Sequence, residues 1–485
     1  MTLQPSLEER ATCHFISNYI MISRNGTAVG FMEFVLPLLN AEKTTPHYQY
    51  AFEACAMASL NNSVGNRNHF ERLALEKYTK ALAETSAVLH DPITAAEDAT
   101  LASVLLLGLF ECISAKIMGR LAWVSHLHGA IRLVKLRGCK QLETKIGVDM
   151  LIVVRMQTII YNLSTAKPPM WINASWFVEG AGRDAHAAEC QRLCFEVGGL
   201  RWQANQLVST CRGKSNTGCA VGIVRRCQAL DIKCKEWSEN SPEHFHYKSA
   251  AWISSIRQDN YYQAEAYLGK IDVYHDFWIS AVWNLMRCAR AILHSIIVRC
   301  IAWTHAPVSY KTTEGYARAM RVTTGLVSDV IASVPFQLGW FRQDRNRAGM
   351  PNLPTFACGD NNSLKGLMGY FMAWPLAFIQ SLDYLTDAQR MWVRGRLDYI
   401  GSQLGVRVCL ILKQLSIRVP SMLICTDYRA AKPLSILHDF EKQLSAEIQP
   451  SASGFATRTQ KPYHHGEEAS PANSEGNTCE EKAKT

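Results

Sequence analysis

The run LASVLLLGLFECI, Leu101 to Ile113, is apolar on nearly every side. A helix that is hydrophobic all round must be buried in a large core or in a membrane. The stretch from Leu101 to Phe110 is interrupted by Glu111, far short of the roughly 20 residues that span a bilayer. A deep core is therefore expected. Thr94 with Glu97 three residues on matches a capping box at a helix start. After a break at Lys116–Gly119, Leu121, Val124, Leu127, Ile131 and Val134 recur at helical spacing. Gly138 suits the left-handed residue that closes such a helix. The segment Thr94–Gly138 is expected to be a buried helical hairpin around which the chain is organised.

The rest of the sequence supplies helices to surround it. Ser6 and Glu9 form another capping box ahead of Leu7, Ala11, Phe15, Tyr19 and Ile22. Further helices are expected at Ala28–Glu42, Tyr48–Leu60, Arg67–Leu89, Val148–Leu163, Ala185–Ser209 and Val221–Trp237. From Val273 to Trp303, Phe277, Ala281, Leu285, Cys288, Ile292 and Ile296 share one face; Asn284, Arg287, Arg290 and His294 share another. Helices are also expected at Thr313–Val334, at Leu364–Leu382 with Pro375 kinking or ending it, and from Thr386 through to Leu415. In the last, Gly395, Gly401 and Gly405 each cost about 1 kcal/mol relative to Ala, which close packing must offset. Ala166–Arg183 and Gly339–Ser363 read as connections rich in turn residues. Ser238–Gln263 carries short aromatic alternations readable as helix or irregular chain. No alternating run bounded by turn signals is long enough to demand a sheet, so the fold class is all-α, a large multi-helix domain. Residues 1–425 are expected to form that domain, and 426–485 a short helix and a disordered tail, since few apolar residues follow Pro450.

Composition excludes several classes. With 48% hydrophobic and 19% charged residues the chain is globular, and 485 residues bury enough surface to need no disulfide or metal. A net charge of +9 permits an acidic partner without demanding one. The N-terminus has no basic segment followed by an apolar run, and the longest apolar rival, Ala291–Trp303, is broken by His294 and Arg299. A soluble intracellular protein, with no membrane partner, is expected. The 16 cysteines fit that reading as free buried thiols.

Chemistry-bearing patterns are sparse. Zinc sites usually need CxxC pairs, and no two cysteines here are three apart. The densest group, Cys190, Cys194, Cys211, Cys219, Cys227 and Cys234, has no paired turn. Gly213-Lys214-Ser215 ends like a phosphate loop, but Val208 stands where its first glycine belongs. His126 and His128 lie two apart on a helix, so their rings point to opposite sides; His244 and His246 lack a third ligand. Neither a GxSxG elbow, an HExxH motif nor an aspartate-rich magnesium cluster is present, and Cys409 and Cys425 lack the surroundings of a haem ligand. No catalytic, metal-binding, DNA-binding or ligand-binding residue is nameable, no cofactor is implied, and the chain reads as non-enzymatic. Two basic groups, Arg120–Arg155 (Arg120, Arg132, Lys135, Arg137, Lys140, Lys145, Arg155) and Arg201–Lys235, read as solvated helix faces able to touch phosphates.

LASVLLLGLFE at 101–111 followed by WVSHLHGAIRLVKLRG at 123–138 resembles the heart of the fungal-specific transcription factor domain, the helical regulatory region of zinc binuclear cluster (Zn2Cys6) activators. The resemblance continues at 6–20, 277–297, 369–382 and 396–412, and so spans roughly residues 6–420. It implies a nuclear transcriptional regulator. Members of the family usually begin with a six-cysteine finger of CxxC pairs; before Cys55 this sequence has only Cys13. Three explanations compete: a fingerless relative acting through partners, a truncated gene model, or DNA binding by an unrecognised surface. The partners implied are proteins of the transcription machinery or a second copy of the chain, with DNA reached indirectly or through a missing N-terminal finger. A small-molecule effector held in the apolar interior stands beside the reading of an ordinary core. The rival from another class is an α-helical enzyme of fungal metabolism without a recognisable motif.

Overall fold

Ser6 and Glu9 close the expected capping box, with Glu9 N donating to Ser6 Oγ (3.1 Å) and Ser6 N to Glu9 Oε2 (2.8 Å), and start α1 (Leu7–Tyr19). The computed structural model describes residues 5–23, 30–42, 44–64, 67–114, 122–165, 168–170, 184–210, 217–257, 260–306, 308–339 and 365–414. The expected loop at Gly339–Ser363 beyond Gly339 itself, most of the 166–183 connection, Gly213–Ser215, the boundary at 425/426 and the tail lie outside the described residues.

The helix expected at Ala28–Glu42 shrinks to α2 (Val35–Leu39). Met21 and Phe31 instead pair in an antiparallel bridge, and Phe31 is anchored edge-on against Phe371, 5.2 Å between ring centres, which holds the chain extended there. α3 (Pro46–Val64) and α4 (Arg67–Val88) follow as expected. The Thr94/Glu97 capping box does not form. Asp91 caps a single turn, α5 (Pro92–Ala95), and the Thr94 hydroxyl donates to the Val88 carbonyl at 2.7 Å. The apolar helix therefore starts later, as α6 (Asp98–Ser114), and pairs with α7 (Ala122–Arg137), which Gly138 closes at φ +57°. Arg137 reaches back to the Ala96 carbonyl (3.1 Å) and the Asp98 carboxylate, joining the two ends of the hairpin.

α8 (Lys145–Ser164) is long and apolar enough to cross a membrane, contrary to the expectation that no segment qualifies. Its packing against α6, α7 and the next helix, α9 (Ala185–Thr210), is that of a core helix. α10 (Thr217–Glu239) leads into the stretch that sequence could not assign. It holds a two-stranded antiparallel ribbon, β1 (Lys248–Ile253) with β2 (Gly269–Val273), registered Lys248 to Val273. The all-α class stands with this one ribbon among the described residues. Asp276 then accepts from Ile279 N (2.8 Å) and caps α11 (Phe277–His305), which packs on α9, α10, α12 (Glu314–Gln337) and α13 (Gly366–Gln380). Pro375 neither ends nor interrupts α13.

The single helix expected from Thr386 to Leu415 is two: α14 (Asp387–Ser402), with its Thr386/Gln389 capping box, and α15 (Val408–Leu412). Gly405 makes the break at φ +78°, a region that disfavours residues with a Cβ. Asn62 fastens that turn to the first half of the chain: its Nδ2 donates to Gly405 O (2.8 Å) and Ile113 O (3.0 Å), and its Oδ1 accepts from Arg407 Nε (3.0 Å). Two buried apolar clusters result, one from α1–α8 joined by Leu367 of α13, and one from α8–α15. Trp123, Val124, Trp278 and Tyr370 pack against both.

Close approach offsets the cost of Gly395, as the sequence requires. A Cβ there would lie 1.8 Å from the Tyr262 carbonyl oxygen. Trp392 Nε1 donates to Ala264 O (2.9 Å) and Arg396 Nη2 to Tyr262 O (3.3 Å), so the 260–268 segment is clamped on either side of the glycine. Gly395→Ala is expected to lower stability by about 1–3 kcal/mol, the usual range for overpacking. Gly325→Ala, on an α12 surface with nothing within 4 Å of the added Cβ, is expected to raise it by about 0.5–1 kcal/mol. Urea midpoints of the two variants check both signs.

Candidate functional site

The polar stripe of α11 does not face water. Asn284, Arg287 and His294 are buried, and Arg287 lines a cavity of about 350 Å³ between α10, α11, α12 and the segment just ahead of β1, with Ser241, His246 and Tyr247. The ribbon shapes it: the Lys248–Val273 pairing places Tyr247 beside Tyr274, stacked with centres 5.0 Å apart, while Trp283 meets Tyr247 edge-on at 5.1 Å. The Arg287 guanidinium lies over all three rings, 5.1 Å from Tyr247, 5.5 Å from Trp283 and 5.6 Å from Tyr274. Such contacts strengthen when desolvated, to about 2 kcal/mol. Arg287 Nη1 donates to Tyr274 Oη (2.6 Å) and Asn284 Oδ1 (3.1 Å); Nη2 is buried without a partner. Burial opposes the charge of Arg287, but the Tyr274 and Tyr247 phenols and the Asp329 carboxylate outweigh it and hold its pKa above the ordinary arginine value.

Ion pairs fix the walls. Lys270 on β2 bridges Asp272 and Asp329, each at 2.9 Å, tying the ribbon to α12. Burial works to lower the Lys270 pKa, and the two carboxylates raise it overall. Asn284 Nδ2 donates to Ser333 Oγ (2.9 Å) on α12, and Trp283 Nε1 to Phe245 O (2.9 Å). Behind the lining residue Arg290, Asp231 of α10 accepts from Arg290 (2.8 Å) and lies 3.2 Å from His294 Nε2. The site can thus hold a small molecule that presents an acceptor to Arg287 and a flat face to the rings. Sequence showed the shared face of Asn284, Arg287, Arg290 and His294. The aromatic cage stayed hidden because Tyr247 and Tyr274 meet only through the ribbon.

Other sequence candidates fall elsewhere. Cys190 and Cys194 sit in the core with sulfurs 4.0 Å apart; Cys227 and Cys234 are buried, and Cys219 is exposed. Burial raises the Cys194, Cys227 and Cys234 thiols well above their ordinary value. His126 lies 3.3 Å from the Tyr78 hydroxyl, pushed down to about 4 by burial, while His128 meets Tyr161 edge-on. His244 pairs with Asp184 (2.9 Å), and His246 contacts the Ser241 carbonyl. The basic groups are not uniform solvated faces. Arg132, Lys135 and Lys140 are exposed, but Arg155 and Arg201 are buried and Lys145 pairs with Glu33 (2.6 Å). A helix-period reading gives each cation an angle around its axis, not what covers that angle.

Asp231 provides a pH handle behind the cavity wall, through its ion pair with Arg290. Burial opposes its ionisation, but hydrogen bonds from His294 and Arg290 outweigh this and bring its pKa down to about 2. A carboxylate depressed on folding stabilises the native state above its unfolded pKa of about 4 and loses that contribution as pH falls toward 2. Asp231→Asn should cost about 1–2 kcal/mol at pH 7 and remove part of the acid-induced loss between pH 4 and 2. Urea unfolding across that range measures it.

Three comparisons bear on what carries this cavity. Residues 13–163 match the family model described as the fungal specific transcription factor domain. Over 415 residues the chain is 21% identical to the transcription factor dbaG of Emericella nidulans, covering 84% of this chain and 91% of that protein. No solved structure matches. The matched stretch contains α2 through nearly all of α8, with the α6–α7 hairpin at its centre, and the cavity lies beyond it. Residues 13–163 are thus similar to the fungal-specific transcription factor domain, and most of the chain is similar, at low identity, to a transcription factor.

Proposed function

We propose that this chain is a nuclear transcriptional regulator that acts through protein partners or a second copy of itself rather than through a DNA-reading module of its own. The observation that carries the reading is the family match over residues 13–163 in a sequence in which no two cysteines are three apart. A zinc binuclear cluster needs such pairs to aim thiolates at one ion. Residues 1–425 act as the regulatory domain and 426–485 as its appendage. The basic groups also support indirect contact with DNA, because their buried members Arg155 and Arg201 are out of reach of a DNA backbone. The role is non-catalytic: the charged groups lining the Arg287 cavity are engaged in ion pairs and ring contacts that hold walls together.

A second reading, regulation by a small-molecule effector, is favoured by the cavity itself. Its aromatic walls and single unpartnered guanidinium nitrogen are the usual makings of a ligand site, apolar with few directed polar groups.

Fused to a heterologous DNA-binding module, the chain is expected to change transcription of a reporter carrying that module's site. The unfused chain is expected to bind DNA only weakly and without sequence preference, its affinity falling steeply with salt as counterion release dictates. Selection from random duplexes at physiological salt is the deciding measurement: enrichment of a defined sequence by the unfused chain sinks the partner-dependent reading.

A further inference from the structure

About 18 Å along α11 from Arg287, twelve residues at 1.5 Å each, lies a cluster of different character. Arg299 of α11 donates through Nη1 to Asn205 Oδ1 on α9, and Arg201 stands one turn before Asn205 on the same helix. All three side chains are buried, Arg201 at 0% exposure and Asn205 and Arg299 at 1%. Arg201 makes no hydrogen bond through Nε, Nη1 or Nη2, and Asn205 makes none through Nδ2. Among the described residues no carboxylate acts on Arg201; burial, with the like-signed Arg299 beside it, pushes the Arg201 pKa down to about 9.

A buried ion without a counter-ion is strongly disfavoured, and a like charge beside it adds to the cost. Arg201 and Asn205 Nδ2 offer donors only, because the one acceptor of Asn205 is already used by Arg299. Arginine presents its N–H groups in a planar fork that matches the two oxygens of a carboxylate or phosphate. Nothing in the Arg287 cavity shares this imbalance, since Asp231, Asp272 and Asp329 answer its cations.

We propose that Arg201, Asn205 and Arg299 form a buried oxyanion site between α9 and α11 that takes the carboxylate or phosphate group of a small acidic metabolite. Arg201 supplies the fork, Asn205 Nδ2 a further donor, and Arg299 charge. The site is independent of how the chain reaches DNA and of the Arg287 cavity.

The test uses the full chain, dialysed free of polyvalent anions and followed by thermal unfolding. Sodium phosphate, malonate and citrate are titrated separately against sodium chloride at matched ionic strength. At least one oxyanion is expected to raise the melting temperature along a saturating curve that chloride does not reproduce. Arg201→Gln should weaken that response at least tenfold, whereas Arg225→Gln, on the exposed face of α10, should leave it intact. Should Arg201→Gln not fold, Arg201→Lys keeps the charge without the fork and should show the same weakening. A wild-type response no greater than that to chloride overturns the proposal, and so does a full response in either Arg201 variant. In both cases the charge of Arg201 is met within the chain.

Discussion

The structure depends on burying α11 on almost every side while it carries Arg287, Arg299 and His294 inside. Burying an ion is costly unless partners replace its water, so the elements around α11 are arranged as much by polar satisfaction as by apolar packing. α10 supplies Asp231 and α12 supplies Ser333 and Asp329. The β1–β2 ribbon supplies Lys270 and Asp272, with Tyr247 just before β1 and Tyr274 just past β2. The apolar face, Phe277 to Ile296, meets an ordinary core. What distinguishes this helix is that its second face was also taken from water, its cations meeting rings and acids around Arg287 and Arg290 and the Asn205 amide oxygen at Arg299.

That second face marks the limit of what the sequence made legible. Apolar periodicity located most helices to within a few residues, including α11, because burying a stripe needs no knowledge of the partner. It failed where a tertiary contact overrode local preference. Phe31 is held extended by Phe371 and so removes most of a helix expected at Ala28–Glu42. Thr94 has a capping partner in the right place, yet its hydroxyl bonds the end of α4 and leaves the cap to Asp91. The glycines of the last helical run divide by geometry that no local pattern carries: Gly395 admits a neighbouring backbone, while Gly405 turns the chain.

The same limit governed the candidate sites. Arg201 belonged to a basic run that reads as a solvated face, and only the packing of α9 on α11 reveals a fully buried guanidinium. Tyr247 and Tyr274 stand 27 residues apart, and their stacking follows from the ribbon register rather than from any spacing. Family resemblance, by contrast, was legible from the α6–α7 hairpin, whose all-apolar first helix restricts both its neighbours and its sequence. Motifs that define a core identify a family; cavities made where separate elements meet do not.

This division places recognition and response in different parts of the chain. The family stretch, 13–163, forms most of one apolar cluster, whereas the Arg287 cavity and the Arg201–Arg299 pair lie in the other. α8 contributes to both clusters, with Tyr161 in the first and Ile159 and Leu163 in the second; Trp123, Trp278 and Tyr370 bridge the seam. Asn62 adds a polar tie by holding Ile113 at the end of α6 together with Gly405 and Arg407. A ligand can shift a conformational equilibrium only by the difference in its affinity for the two states. For a molecule held at α11 to alter the surfaces carried by the hairpin, the two states must therefore differ in how α11 sits against the elements of this seam. Tight packing favours discrete rearrangements over gradual ones. The buried cations of α11 make such a change costly without their partners, which is the property required of an element that responds to a bound anion.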